Sequence, residues 1–169
     1  DVGDVGERNQ GDNPLKTDVV LRAVSELDVP VFFEQQRDPE SNAMAAFPAR
    51  ERDAHTAHWA KIMAEPSSLL RAILFVAAVA GHIVSWNSTD GREVGYWLGR
   101  EFWGQGIATR ALALFLKEES TRPLVAHVAQ RNIASRRVLE KCGFVVVSAA
   151  GMLPMPGADP IPEFTLRLA

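Results

Sequence analysis

The segment GREFWGQGIATRALALFLKEE, Gly99 to Glu119, follows the apolar run VGYWLG and places Gly104 and Gly106 just before a helical pattern. The run predicts a strand and the glycines a tight turn. Ile107, Ala111, Leu114 and Phe115 predict a helix with one buried face, which Leu112 and Leu116 widen. A helix begun in this way aims several backbone N–H groups, and the positive end of its dipole, at one point. Glycine lets a ligand approach because it has no Cβ to collide. The turn therefore suits a phosphate or pyrophosphate. It would equally serve as a plain packing turn between strand and helix.

Shortly downstream lies QRNIASRRVLEKCGFVVV, Gln130 to Val147. Asn132 is placed to cap a helix over 133–142, and Gly143 to end it. In order and spacing the two segments resemble motifs A and B of the GNAT acetyltransferases, and more closely their RimJ/RimL-like branch. The first motif of that family reads Gln/Arg-x-x-Gly-x-Gly/Ala. Here Trp103, Gly106 and Ala108 match it, with Gly104 between and tryptophan in place of the usual Gln or Arg. The second motif, Asn-x-x-Ser followed by Glu-Lys-x-Gly-Phe, is Asn132, Ser135, Glu140, Lys141, Gly143 and Phe144.

The resemblance implies an α+β fold: a mixed, mostly antiparallel sheet flanked by helices, with splayed central strands. It implies an acetyl-CoA-dependent N-acetyltransferase in which a primary amine attacks the thioester directly. Backbone N–H groups of Trp103, Gly104, Gln105, Gly106, Ile107, Ala108 and Thr109 would then cradle the pyrophosphate. The strand end at Trp97, Leu98 and Gly99 would pair with the pantetheine arm. Asn132 would combine capping with a CoA contact. Ser135, one turn on, would lie near the sulfur and serve the leaving thiolate. The alternative for Ser135 is a helix serine bonded to an upstream carbonyl. Many members of the family use a tyrosine for the thiolate, and Leu139 stands at that place here. Of Arg136 and Arg137, one is expected in solvent and the other, Arg137, on CoA.

The acceptor amine must lose a proton to a base. Glu34, His55, His58, His82, Glu93 and His127 are the candidates. His127, in an apolar strand, reads as a satisfied core histidine. Phe33, His55, Trp59 and Tyr96 are the candidate acceptor-side residues. Tyr96 and Trp97 should point to opposite faces of their strand, one towards the acceptor and one towards the core. The histidine spacing lacks a third ligand for catalytic zinc, so no metal is expected. Cys142 shares an apolar helical stripe with Ala134 and Val138, which favours packing over nucleophilic catalysis.

Elsewhere, Val19 to Val24 reads as a strand. Ser25 is placed to cap a helix to Gln36, and Asp53 one to Ala64. Leu69 to Val76, Val79 to Trp86, Glu93 to Gly99, Leu124 to Ala129, Phe144 to Ser148 and Glu163 to Leu168 read as strands. Gly151 to Pro162 reads as a Pro/Gly loop, and Glu118–Glu119 as an exposed helix end. The 169 residues, 47% hydrophobic and 23% charged, suit a flexible leader over 1–16 and a single domain over 17–169. A net charge of −3 gives no basic surface for nucleic acid or an anionic membrane. No apolar run reaches the length of a membrane span. A lone cysteine suits a reducing, cytoplasmic compartment. Homodimer formation is left open. The rival class is a non-catalytic CoA-binding regulatory module. A P-loop or dinucleotide-binding protein is excluded because its glycine–lysine or GxGxxG fingerprint is missing.

Overall fold

The computed structural model describes residues 18–169; the leader expected over 1–16 lies outside them. Strands β1 (Val19–Ala23), β2 (Leu69–Phe75), β3 (Ala78–Ser88), β4 (Gly91–Leu98), β5 (Leu124–Ala129), β6 (Val145–Met155) and β7 (Ala158–Leu168) form one sheet, ordered β1-β2-β3-β4-β5-β7-β6. Every neighbouring pair is antiparallel except β4 and β5, which run parallel. That pair is in register only at Arg92↔Leu124 and Glu93↔Val125. Beyond Glu93 the two strands separate, so the sheet is splayed at its centre.

Helices α4 (Ile107–Glu118) and α5 (Ile133–Lys141) lie on one face of the sheet. Ile107, Ala111, Leu112 and Phe115 of α4 bury themselves against Ile83, Val94, Leu124 and Leu166. Helices α1 (Val29–Gln36) and α3 (Arg52–Met63) serve the other face, where Phe32 and Trp59 close on Ala72. The short helix α2 (Pro39–Ala45) links α1 to α3, and the Asp38 carboxylate caps it by accepting from Ser41 N–H at 3.0 Å. Gly81 lets β3 approach β4, because a Cβ there would stand 1.9 Å from the Trp97 carbonyl oxygen.

Four local expectations are corrected. Residues 151–162 are not a loop: β6 and β7 form a long hairpin turning at Pro156–Gly157. Pro160 and Pro162 pointed to a loop because proline cannot donate to a ladder. They lie where β5 is absent as a partner, since its pairing with β7 stops at Glu163. Ser25 opens a 3-10 turn over Glu26–Asp28, and α1 starts only at Val29, with Pro30 in its first turn. The Asp28 carboxylate accepts from both terminal guanidinium nitrogens of Arg22 and from Ser25 N–H, and Arg22 first among these holds its pKa below the usual range. Glu51, not Asp53, is the N-cap residue of α3.

The fourth correction is Glu119, which is buried at 4% exposure. It accepts from Ser85 Oγ, from Arg92 Nε at 2.9 Å and from Thr121 N–H at 3.0 Å. Burial pushes its pKa up, but the bonds from Ser85, Thr121 and Arg92 outweigh that and hold it at about 2. Among the described residues no helix is long and apolar enough to cross a membrane.

Candidate active site

A cleft of about 520 Å³ opens where β4 and β5 part. Its walls come from β4 (Tyr96, Trp97, Leu98), the turn before α4 (Trp103, Gly104, Gly106), the first turn of α4 (Ile107, Ala108, Thr109) and α5 (Asn132, Ser135, Arg137). Met44 of α2 closes one side, and Lys141 stands with Arg137 on the α5 wall. The two glycine-bearing segments thus meet in one space. Gly99 and Gln105 lie beside this wall rather than on it. Gly99 is buried against Gln35 and Phe102, and the Gln105 side chain donates to the Glu101 carbonyl.

Gly104 and Gly106 both have φ of +73°, and a Cβ at either would meet nothing within 4 Å. Their glycine character is therefore set by left-handed backbone and by the open space in front of it. Gly106 is the N-cap residue of α4, and no side chain caps that helix. The N–H groups of the first turn have no partner further back in the helix. They face the cleft with the positive end of the dipole behind them, which fits a diphosphate.

The other donor row comes from β4. Gly99 N–H bonds the Ala80 carbonyl at 2.9 Å. The alternation of an antiparallel ladder then turns the main-chain groups of Leu98 and Tyr96 away from β3, towards the gap. The Leu98 carbonyl is taken by the Trp103 indole N–H at 3.2 Å, while its N–H remains for a ligand. An extended amide chain can pair there as an added strand.

Asn132 caps α5, its Oδ1 accepting from Ser135 N–H at 3.3 Å. The Ser135 hydroxyl is not bonded to an upstream carbonyl. It lies 2.7 Å from Tyr96 Oη, across the gap between the strands. Tyr96 and Trp97 both line the cleft. As expected of opposite faces, the Tyr96 ring also packs against the main core, while Trp97 lies against Phe47. Arg137 lines the cleft, whereas Arg136 pairs with Glu140 and covers the Phe164 ring. Cys142 Sγ donates to the Thr109 carbonyl at 3.6 Å, and burial raises its pKa, which keeps the thiol protonated and a poor nucleophile.

Phe33, His55 and Trp59 are not brought to this cleft. Trp59 and Phe32 stack at 4.8 Å in the core of the opposite face. Phe33 packs on His55, whose Nε2 lies 2.9 Å from Gln36 Oε1. Burial pushes the pKa of His55 down to about 4 and that of His82 to about 3, so both stay neutral core groups. His58 is also lowered, by burial first and then by Arg50. Glu34 is exposed between Arg37 and Arg52.

His127 is corrected from a core residue to a polar contact on the strand surface. Its Nε2 lies 2.8 Å from Glu93 Oε1 and 3.5 Å from Asp90, and its Nδ1 lies 3.2 Å from Thr165 Oγ1. Asp90, Glu93 and His127 place their ligating atoms within 4.8 Å of one another. Glu93 sits on the last paired rung of β4 and β5, on the same face of β4 as Trp97. An apolar run on both sides of His127 hid this from the sequence, because pairing across two strands leaves no local pattern.

The profile of the acetyltransferase (GNAT) domain matches residues 18–145. The chain belongs to this acetyltransferase family. Solved structures agree in fold. A GNAT-family acetyltransferase from Bacillus anthracis is 18% identical, with a TM-score of 0.72 over 89% of this chain and 93% of that one. Spermidine N-acetyltransferase from Vibrio cholerae, solved with CoA and spermine, is 16% identical with a TM-score of 0.73 over 89% and 94%. RimL, a ribosomal L7/L12 α-N-protein acetyltransferase solved with CoA, is 18% identical with a TM-score of 0.71 over 92% and 96%. No curated protein matches this acetyltransferase at a significant level of sequence similarity.

Proposed function

We propose that this acetyltransferase moves an acetyl group from acetyl-CoA to a primary amine of the kind served by the RimJ/RimL-like branch, either a protein N-terminus or a small amine. The observation that carries the reading is the cleft itself, which joins an uncapped helix N-terminus to unpaired β4 backbone across a gap in the sheet. The diphosphate of acetyl-CoA lies over Gly104 to Thr109 and its amide arm along Leu98 and Tyr96. Arg137 and Asn132 bound it from α5. The thioester then reaches the fork of β4 and β5, with Ser135 beside the sulfur. RimL and the spermidine enzyme share the fold, and their acceptors span the two amine classes.

The experiment is a CoA-release assay over a panel of amines and N-terminal peptides, with the acetyl adduct identified by mass spectrometry. Gly106→Val is its internal control. A β-branched residue is strained at φ +73° and fills the approach to the helix end. CoA affinity should drop about 5- to 150-fold, the equivalent of ~1–3 kcal/mol of lost charge-assisted bonds. Unchanged CoA affinity by calorimetry in a folded Gly106→Val protein would remove the cradle from the mechanism.

Glu93, braced by His127, takes the proton from the incoming ammonium. Of the candidate bases, this pair alone sits on the two strands that bound the fork. Glu93→Gln should lower kcat/KM about tenfold at neutral pH, less than full loss of a base because His127 remains. The deficit should shrink as pH rises towards the acceptor's own pKa, where free amine is already present. A pH-independent deficit would assign Glu93 to acceptor binding instead.

A further inference from the structure

Tyr96 packs its ring against the core, and its hydroxyl reaches from β4 to α5. Its Oη lies 2.7 Å from Ser135 Oγ and 3.2 Å from the Ser135 carbonyl oxygen. These are the phenol's hydrogen-bond partners, and Tyr96 Oη is the side-chain partner of Ser135 Oγ. A serine hydroxyl has one proton and can rotate to suit its neighbours. On a helix it ordinarily turns back to a carbonyl of the preceding turn. Here it does not, and the residue that holds it stands on a different element, on the opposite wall of the cleft.

The geometry points to Tyr96 as the positioning residue that sets the direction of the Ser135 hydroxyl. The phenol O–H donates to Ser135 Oγ, which leaves the serine's own proton free to point at the sulfur in the cleft. This rests on the reading of Ser135 given above as the group that serves the leaving thiolate. The phenol is suited to donate and not to ionise. Burial raises its pKa to about 12, against the bond with Ser135, which acts in the other direction. The aromatic ring packs with the core beneath α4, which fixes the hydroxyl independently of any ligand. The arrangement also ties α5 to β4 across the gap, so the serine is held in place by the strand that carries the acetyl donor.

The test compares Tyr96→Phe, Ser135→Ala and the double variant, in kcat with a well-turned-over amine and in acetyl-CoA affinity by calorimetry. Phenylalanine keeps the packed ring and removes only the hydroxyl. Tyr96→Phe should lower kcat about 5- to 20-fold in the parent and less than about twofold in the Ser135→Ala background, because it acts through the serine. Acetyl-CoA affinity should stay within about twofold. An equal kcat loss in both backgrounds would overturn the proposal, since Tyr96 would then act alone. So would a loss expressed in affinity and not in kcat. Parental turnover in Tyr96→Phe with an impaired Ser135→Ala would defeat the tyrosine role and keep the serine. Parental turnover in Ser135→Ala would defeat both.

Discussion

Ser135→Ala should lower kcat for amine acetylation about 10- to 1000-fold while acetyl-CoA affinity changes far less. The hydroxyl faces the cleft from α5 and is not spent on its own helix. If it meets the sulfur as negative charge develops there, it acts on the transition state, and such a loss appears in kcat. The diphosphate and amide-arm contacts come from α4 and β4 and are untouched. The fold should tolerate the change. Tyr96 Oη can turn its proton to the carbonyl of residue 135, 3.2 Å away, and Asn132 still caps α5 through the backbone N–H of that residue. Single-turnover acetyl transfer separates this step from binding and release. Transfer at the parental rate would leave the thiolate to water, and Ser135 would be a helix residue only.

The parts of the site legible in the sequence are those made by local chain geometry. Gly104, Gly106 and the apolar stripe of α4 announce a left-handed turn into a buried helix, and Asn132 announces a cap. Those signals depend on neighbours a few residues away. What stayed hidden depends on pairing between distant segments. Tyr96 and Ser135 are 39 residues apart and meet only because β4 and β5 diverge. Glu93 and His127 meet only because they do not diverge sooner. Phe33 and Trp59 read as acceptor-side residues because they are aromatic, but an aromatic on a helix fills a core as readily as it lines a cleft. The hairpin β6–β7 was hidden by its prolines, whose positions make sense once β5 is known to end early.

The position of that fork rests on a buried ion pair, and breaking it should be among the most damaging single changes to stability. Arg92 stands on the first paired rung of β4 and β5, opposite Leu124. Its guanidinium reaches across to Glu119 at the end of α4, to Ser85 Oγ at 3.1 Å and to the Ser67 carbonyl at 2.7 Å. The pair therefore binds the closed end of the fork to the C-terminal end of the helix whose other end forms the phosphate cradle. The side chains of Arg92 and Glu119 are 10% and 4% exposed, so water cannot replace a missing partner. Glu119→Ala should cost about 3–5 kcal/mol, because it leaves a buried guanidinium without its counter-charge. Chemical denaturation with two independent probes measures it. The pH dependence gives a second reading. The folded pKa of Glu119, about 2, lies below the ordinary 4.5. Its contribution is therefore fully present above about pH 4.5 and is lost as pH falls towards 2, where folded and unfolded chains bind the proton alike. The parent should lose about 3 kcal/mol across that window through this group. In Glu119→Gln the same part of the acid limb should flatten. An acid limb identical in parent and Glu119→Gln would show that the carboxylate is not held ionised by Ser85, Thr121 and Arg92. A loss below about 1 kcal/mol in Glu119→Ala would show that the fork is fixed by strand packing alone.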